Sequence, residues 1–209
     1  MLYAYLCADK IEQNRHRMKL KNMKKISVLG IFLAFFLSGC GSVPEVTMDD
    51  GTPLMGGSAV YTLTNLHPDP MNNRLFSINY QQAGFIPRCT PVEITDLKSD
   101  VMTFSADGSE YTYIFHGASG DFGENITLYF GSSCDENAAD SLSEIDREGI
   151  AEGKAKVGMS KAGIQLAIGY PPPHQTPSLD ADFWRYWQNR FNTFILEFDS
   201  SGKVTQIID

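Results

Sequence analysis

Positive charge is scarce in this 209-residue chain, where 17 Lys and Arg stand against 25 Asp and Glu for a net charge of −8. Affinity for phosphates comes from Lys and Arg, so the balance excludes broad nucleic-acid binding. Long apolar runs are missing too. The stretch Ile26–Leu37 stops at twelve residues, whereas a helix crossing a bilayer needs about 20. Histidine is sparse: His67, His116 and His174 are isolated from one another and from any Cys/His or Asp/His cluster. A metal site needs roughly three or four converging ligands, so none is expected. There is no phosphate loop and no Gly-x-Ser-x-Gly elbow. Ser200-x-x-Lys203 falls in a hairpin turn without the partner motifs of that chemistry. Asp121-Phe122-Gly123 has no kinase companion, and acids such as Asp180 and Asp182 are common in a chain this acidic. No catalytic residue is expected, and the chain reads as a non-enzyme. Apolar material is plentiful: 43% hydrophobic and 20% charged residues are the composition of a globular protein, not a disordered one.

The charge is unevenly spread. Residues 1–39 hold seven of the bases and two of the acids, which leaves residues 40–209 at −13. A basic flank, a short apolar core and small residues at its end fit a secretory signal peptide. Met23-Lys24-Lys25 is a typical start for one. Residues 23–39 are therefore expected to be the signal peptide, and residues 1–22 an upstream extension, with Met18 as the other candidate start. Leu37-Ser38-Gly39-Cys40 resembles the bacterial lipobox. That resemblance implies cleavage before Cys40 and a covalent diacylglycerol and acyl chain on its thiol and amine. Buried acyl methylenes contribute about 0.8 kcal/mol each, so two or three chains anchor a domain firmly. Gly41 stands where lipoproteins of enteric type retained in the inner membrane carry Asp. The resemblance thus implies an outer-membrane, periplasm-facing lipoprotein that palmitate would label.

With Cys7 in the leader and Cys40 as lipid site, Cys89 and Cys134 remain. In an oxidising periplasm they are either bridged or two separate buried thiols. Residues 40–57, rich in Gly, Ser, Pro and Asp, read as a flexible tether. Residues 58–137 read as a β-rich domain with strand-like runs at Val60–Thr64, Leu75–Tyr80, Val92–Thr95, Val101–Phe104, Tyr111–Phe115 and Ile126–Phe130. Ala106-Asp107-Gly108 is a hairpin signal. Short strands at this spacing suggest a small barrel or sandwich. Asn79-Tyr80 followed by Ile86–Ile94 resembles a bacterial SH3-like barrel, although Cys89 stands where that pattern favours Gly.

Residues 138–209 change character. Ser141-x-x-Glu144 has capping-box spacing before a short helix that Gly149 and Gly153 weaken. Ser160 caps a second helix through Ile164, Ala167 and Ile168, with Gly169 and Pro171–Pro173 at its end. Trp184–Trp187, Phe194–Phe198 and Val204–Ile208 read as three antiparallel strands, with a turn at Asp199–Lys203. The overall class is α+β.

Val157-Gly158-Met159-Ser160, Ile168-Gly169-Tyr170-Pro171, Trp184-x-Tyr186, Leu196-x-Phe198-Asp199 and Gly202-Lys203-Val204 together resemble the SmpA/OmlA (BamE-like) family over residues 143–209. The resemblance implies two helices on a three-stranded antiparallel sheet, and a non-enzymatic lipoprotein or adaptor. The long proline-rich loop at 171–179 and the preceding β-region depart from that family. The fold therefore carries over better than the task.

Two surfaces are candidates for binding. The first joins the stiff loop with Tyr170, Pro172 and His174 to Arg185 and Trp187, since stiff loops lose little entropy and Trp, Tyr and Arg dominate binding energy. The second is the strip Tyr111, Tyr113 and Phe115, residue types that more often fill a core. The expected function is a membrane-anchored adaptor or scaffold for an envelope protein. The alternative is a module binding a cell-wall glycan or peptide through the β-rich domain.

Overall fold

The computed structural model describes residues 45–209. The upstream extension at 1–22, the signal peptide at 23–39, lipidated Cys40 and the first residues of the tether lie outside the described residues. Those described belong to one compact unit of mixed α and β structure, built on two hydrophobic clusters.

The first cluster lines a six-stranded sheet of β1 (Ala59–Thr62), β2 (Arg74–Phe76), β3 (Pro91–Leu97), β4 (Val101–Ala106), β5 (Ser109–Ile114) and β6 (Phe130–Gly131), in the order β2-β5-β4-β3-β1-β6. Side chains alternate between the faces of a strand, so β4 buries Met102, Phe104 and Ala106 together. In β3 the buried set runs Val92, Ile94, Leu97. The break in its two-residue period comes from a register shift between Ile94 and Asp96, which returns Leu97 to the core face. The β4–β5 turn places both Asp107 and Gly108 at positive φ, 49° and 76°, as the tight hairpin turns that suit strand twist require. The second binding candidate belongs to this core. Tyr113 is buried, Tyr111 stacks on Phe104, and Phe115 packs on Phe122.

Three expectations are corrected. The strand expected at Ile126–Phe130 is mostly the helix α1 (Phe122–Tyr129). Asp121 caps it by accepting from the Glu124 amide at 2.9 Å, and Phe122, Ile126 and Tyr129 bury one face. The β-branched and aromatic composition points to a strand, but the cap and the helical spacing prevail. The N-terminal half, expected as a small β-barrel or sandwich, therefore carries a helix beside its six-stranded sheet. The run Leu75–Tyr80 leaves the sheet after Phe76, where Asn79 adopts φ 57°. Finally, the expected tether is folded from Val46 onward. Met48 donates to Thr52 and Leu54 to Val46, each at 2.8 Å, and Val46, Met48 and Leu54 enter the sheet core. Val46, Met48 and Leu54 are too few and too widely separated to mark a strand in sequence, yet a hairpin brings them to one side.

The second cluster is formed by α2 (Glu144–Glu152) and α3 (Lys161–Ile168) with a sheet of β7 (Phe183–Trp187), β8 (Thr193–Phe198) and β9 (Val204–Ile208) in that order. Ser143, two residues beyond the expected Ser141, caps α2 in a reciprocal box with Asp146. Gly149 is needed where it stands, because a Cβ there would collide with the Met159 sulfur. Trp184, Tyr186, Leu196 and Phe198 face Ile150, Ile164 and Ala167 across this core.

The two clusters meet at the end of α3. A helix leaves its last carbonyls without partners inside the helix, and here the N-terminal half supplies them. Asn65 donates from its amide nitrogen to Leu166 O at 3.0 Å and from Nδ2 to Ala167 O at 3.1 Å and Ile150 O at 2.7 Å. His67 Nε2 lies 3.2 Å from Ala167 O. Asn79 Nδ2 and Gln81 Nε2 donate to Ile168 O at 2.8 and 3.0 Å. Among the described residues no helix is long and apolar enough to cross a membrane.

Candidate functional site

Strand alternation divides the sequence-predicted residues between two places. Trp184 and Tyr186 point into the core, so Phe183, Arg185 and Trp187 lie on the opposite face of the β7–β9 sheet. Register sets Arg185, Ile195 and Ile208 in one row across it, with Phe183 beside Glu197 and Trp187 beside Thr193. Phe183 is 51% exposed, and Phe191 at the β7–β8 turn is 75% exposed with the Arg190 guanidinium 4.5 Å over its ring. The exposed imidazole of His174 stacks over Trp187 at 6.4 Å. Beneath it the buried indole N–H of Trp187 has no acceptor among the described residues. Thr176, whose Oγ1 accepts from the Arg185 amide at 3.0 Å, pins the proline loop to β7. Arg185 and Arg190 have no carboxylate partner among the described residues.

Tyr170 and Pro172 do not join this face. They line a pocket of about 200 Å³ with Ser77, Ser119 and Tyr129. A third feature, a groove of about 670 Å³, runs between the 81–85 segment, the end of α2 and Phe194. Gln81, Gln82 and Gln188 bring amides to it, and Phe85 and Ile207 bring apolar surface. The Gln82 amide donates to Gln188 O at 2.6 Å and braces one wall. Sequence reasoning missed Ile195, Ile208 and Phe191. For Ile195 and Ile208 the signal was available as the alternate positions of strands whose other face was assigned to the core, whereas Phe191 lies in a turn that no period marks.

The histidines do not converge. His67 is buried with its Nε2 against Ala167 O, an atom that can only accept, so Nε2 carries the proton. Burial pushes its imidazole below the ordinary value, against the pull of the Ala167 carbonyl, and keeps it neutral. His116 Nδ1 accepts from the Ala118 amide at 3.2 Å and serves a turn. Among the described residues no three His, Cys, Asp or Glu side chains are placed to hold a metal ion. Asp121 is a helix cap, and Ser200 and Lys203 lie in the turn organised by Asp199. Cys89 and Cys134 are joined as a disulfide with Cα atoms 5.4 Å apart, and Arg88 Nη2 lies 3.6 Å from the Cys134 sulfur.

The structure thus presents an outer sheet face and, apart from it, a pocket and a groove. The sheet face offers aromatic area, two guanidinium groups and, among the described residues, an indole N–H without an acceptor. Comparison of the chain with protein-family profiles, curated proteins and solved structures finds no match.

Proposed function

We propose that the chain is a lipid-anchored, non-enzymatic adaptor of the cell envelope, facing the periplasm from the outer membrane, which docks an envelope protein on the outer face of the β7–β9 sheet. The observation that carries this reading is that face itself. It gathers exposed Phe183, Phe191 and Ile208 around Arg185 and Trp187, exposed apolar groups mark interaction sites, and Trp and Arg are among the side chains that dominate them. Arg185 and Arg190 stand unpaired among the described residues, and the body carries −13. That contrast suits a partner presenting apolar residues flanked by carboxylates. A partner that displaces His174 would also gain the Trp187 indole as a donor. The lipobox resemblance at Leu37–Cys40 supports the anchor, and the Cys89–Cys134 bridge supports an oxidising compartment. The order of α2, α3 and β7–β9 is compatible with the fold that the SmpA/OmlA resemblance implies.

Two measurements test the reading. Palmitate should label the wild-type protein in cells and fail to label Cys40→Ala; an unlabelled wild type removes the anchor. A photo-crosslinking residue at Ile195 should capture one defined envelope protein, and Trp187→Ala should weaken capture at least about tenfold. Capture that is unchanged by Trp187→Ala and equally strong from a probe at Glu110 on β5 would overturn the docking face.

The groove at Gln81, Gln82 and Gln188 favours a second reading, a glycan or peptide module, because amides beside aromatic rings suit sugar hydroxyls and peptide groups. Retention of the full chain on peptidoglycan, lost in Gln188→Ala, would select it. The SH3-like resemblance of residues 79–94 belongs to that reading.

A further inference from the structure

The pocket of about 200 Å³ beside α1 has a floor and walls of opposite character. Its floor contains Ser77, Ser119, Asn125 and Thr176, each at least nine-tenths buried. Its walls are the rings of Pro171–Pro173 and Pro177 with Tyr129 and Tyr170. Proline rings carry no N–H, so the walls offer mainly apolar surface. The mouth is marked by Leu128 and Leu179, which are 38% and 41% exposed.

The hydroxyl and amide groups of the floor carry protons that no neighbouring atom among the described residues accepts. Ser77 Oγ and Ser119 Oγ are 2.7 Å apart, and Ser77 Oγ also accepts from the His116 amide at 2.7 Å. Two hydroxyls that face each other share one proton between them. The second has no acceptor among the described residues, whichever serine holds it. Thr176 Oγ1 accepts from the Arg185 amide, and its own proton likewise has no acceptor among the described residues. Asn125 commits its oxygen to the Tyr113 hydroxyl at 2.5 Å and one amide proton to Ser77 O at 3.3 Å, which leaves one amide proton unspent. The floor thus holds unspent donors on the Ser77–Ser119 pair, Thr176 and Asn125, and no lining residue is charged. A buried donor without an acceptor costs about 1–3 kcal/mol, so this arrangement is stable when something supplies an oxygen.

We infer that this pocket is a binding site for a small neutral ligand whose carbonyl oxygen meets the Ser77–Ser119–Thr176 floor and whose short apolar body lies between the proline and tyrosine rings. Amides and esters of short branched or acyl chains are the chemical class. Neither an ammonium nor a carboxylate finds a counter-charge in the lining to offset its desolvation. The pocket is separate from the outer sheet face, so this site stands or falls independently of the docking reading.

The test uses the purified full chain in detergent, followed by amide NMR. Isovaleramide is the probe, with isovalerate and isoamylamine as charged analogues of the same shape. Isovaleramide should give saturable shifts in the millimolar range at Ser119, Asn125, Thr176 and Leu179, at least about tenfold tighter than isoamylamine. Leu128→Trp, a change at the rim that leaves the floor intact, should reduce the affinity by a similar factor. Thr176→Ser, which keeps the hydroxyl, should retain it. Equal binding of the amine, shifts scattered away from the pocket, or no saturation up to the solubility limit would each overturn the inference, the last leaving ordered water as the floor's only acceptor.

Discussion

Asp146 illustrates how much one buried side chain can organise. Its Oδ2 accepts from the Ser143 amide and hydroxyl at 3.2 and 2.6 Å, while Oδ1 accepts from the Ser160 amide and hydroxyl at 2.6 and 3.1 Å. One carboxylate therefore closes the start of α2 and receives the donors at the start of α3. Burial opposes its ionisation, but the bonds from Ser143 and Ser160 outweigh burial and hold the carboxyl below the ordinary 3.8. A depressed folded value means that the unfolded chain takes up the proton first. The stability this group contributes is complete above 3.8 and is lost as pH falls through the lower folded value. Asp146→Ala should cost about 2–4 kcal/mol at pH 7 in urea denaturation, because it leaves buried N–H groups without acceptors. Between pH 5 and pH 3, Asp146→Asn should lose less stability than the wild type does; parallel slopes for the two would refute the assignment.

At the scale of elements, the helix α1 decides the character of the N-terminal half. Val, Ile, Thr, Tyr and Phe favour strands only as a fit to a half-buried pleated surface. In Ile126–Phe130 that preference meets an N-cap at Asp121, and burial of Phe122, Ile126 and Tyr129 adds the tertiary contribution. Asp121→Ala should lower stability by about 1 kcal/mol, and Asp121→Asn, which keeps the acceptor, by much less. Ile126 is fully buried, so Ile126→Ala should cost about 2–5 kcal/mol. Thermal unfolding followed by far-UV circular dichroism measures all three. If Asp121→Ala and Asp121→Asn destabilise equally, the cap is not what holds the helix start.

At the scale of the molecule, the two hydrophobic clusters are joined mainly by polar groups. The carbonyls ending α3 are satisfied by Asn65, His67, Asn79 and Gln81 from the other half, and Asn65 Oδ1 accepts from the Arg88 amide at 2.8 Å. Asn65 thus uses its donors on one half and its acceptor on its own. Unfolding of the whole should therefore be a single transition, with the fluorescence of Trp184 and Trp187, both on β7, following the far-UV signal. Asn65→Asp removes both side-chain donors and buries a charge at the seam, which should cost at least about 3 kcal/mol and separate the two signals. Coincident, unshifted transitions in that variant would show that the seam is not needed for coupling.

The sequence by itself determined the local elements. Period-two patterns at Val101–Phe104 and Phe194–Phe198, the Asp107-Gly108 turn and the Ser160 cap each depend on neighbours in the chain, so short-range rules read them. Everything that joined distant residues had to wait for the fold. Val46, Met48 and Leu54 are too few and too widely separated to mark a strand, and only the sheet they cover makes them core. The five residues expected to bind together separate because loop and strand diverge after Gly169. Tyr170 and Pro172 then turn to the pocket, while Arg185 and Trp187 follow strand alternation to the outer face. The pocket floor joins residues from 77 to 176, none of which has an unspent proton until its partners are known. A donor is left over only relative to a completed set of hydrogen bonds, and that set is a property of the tertiary structure.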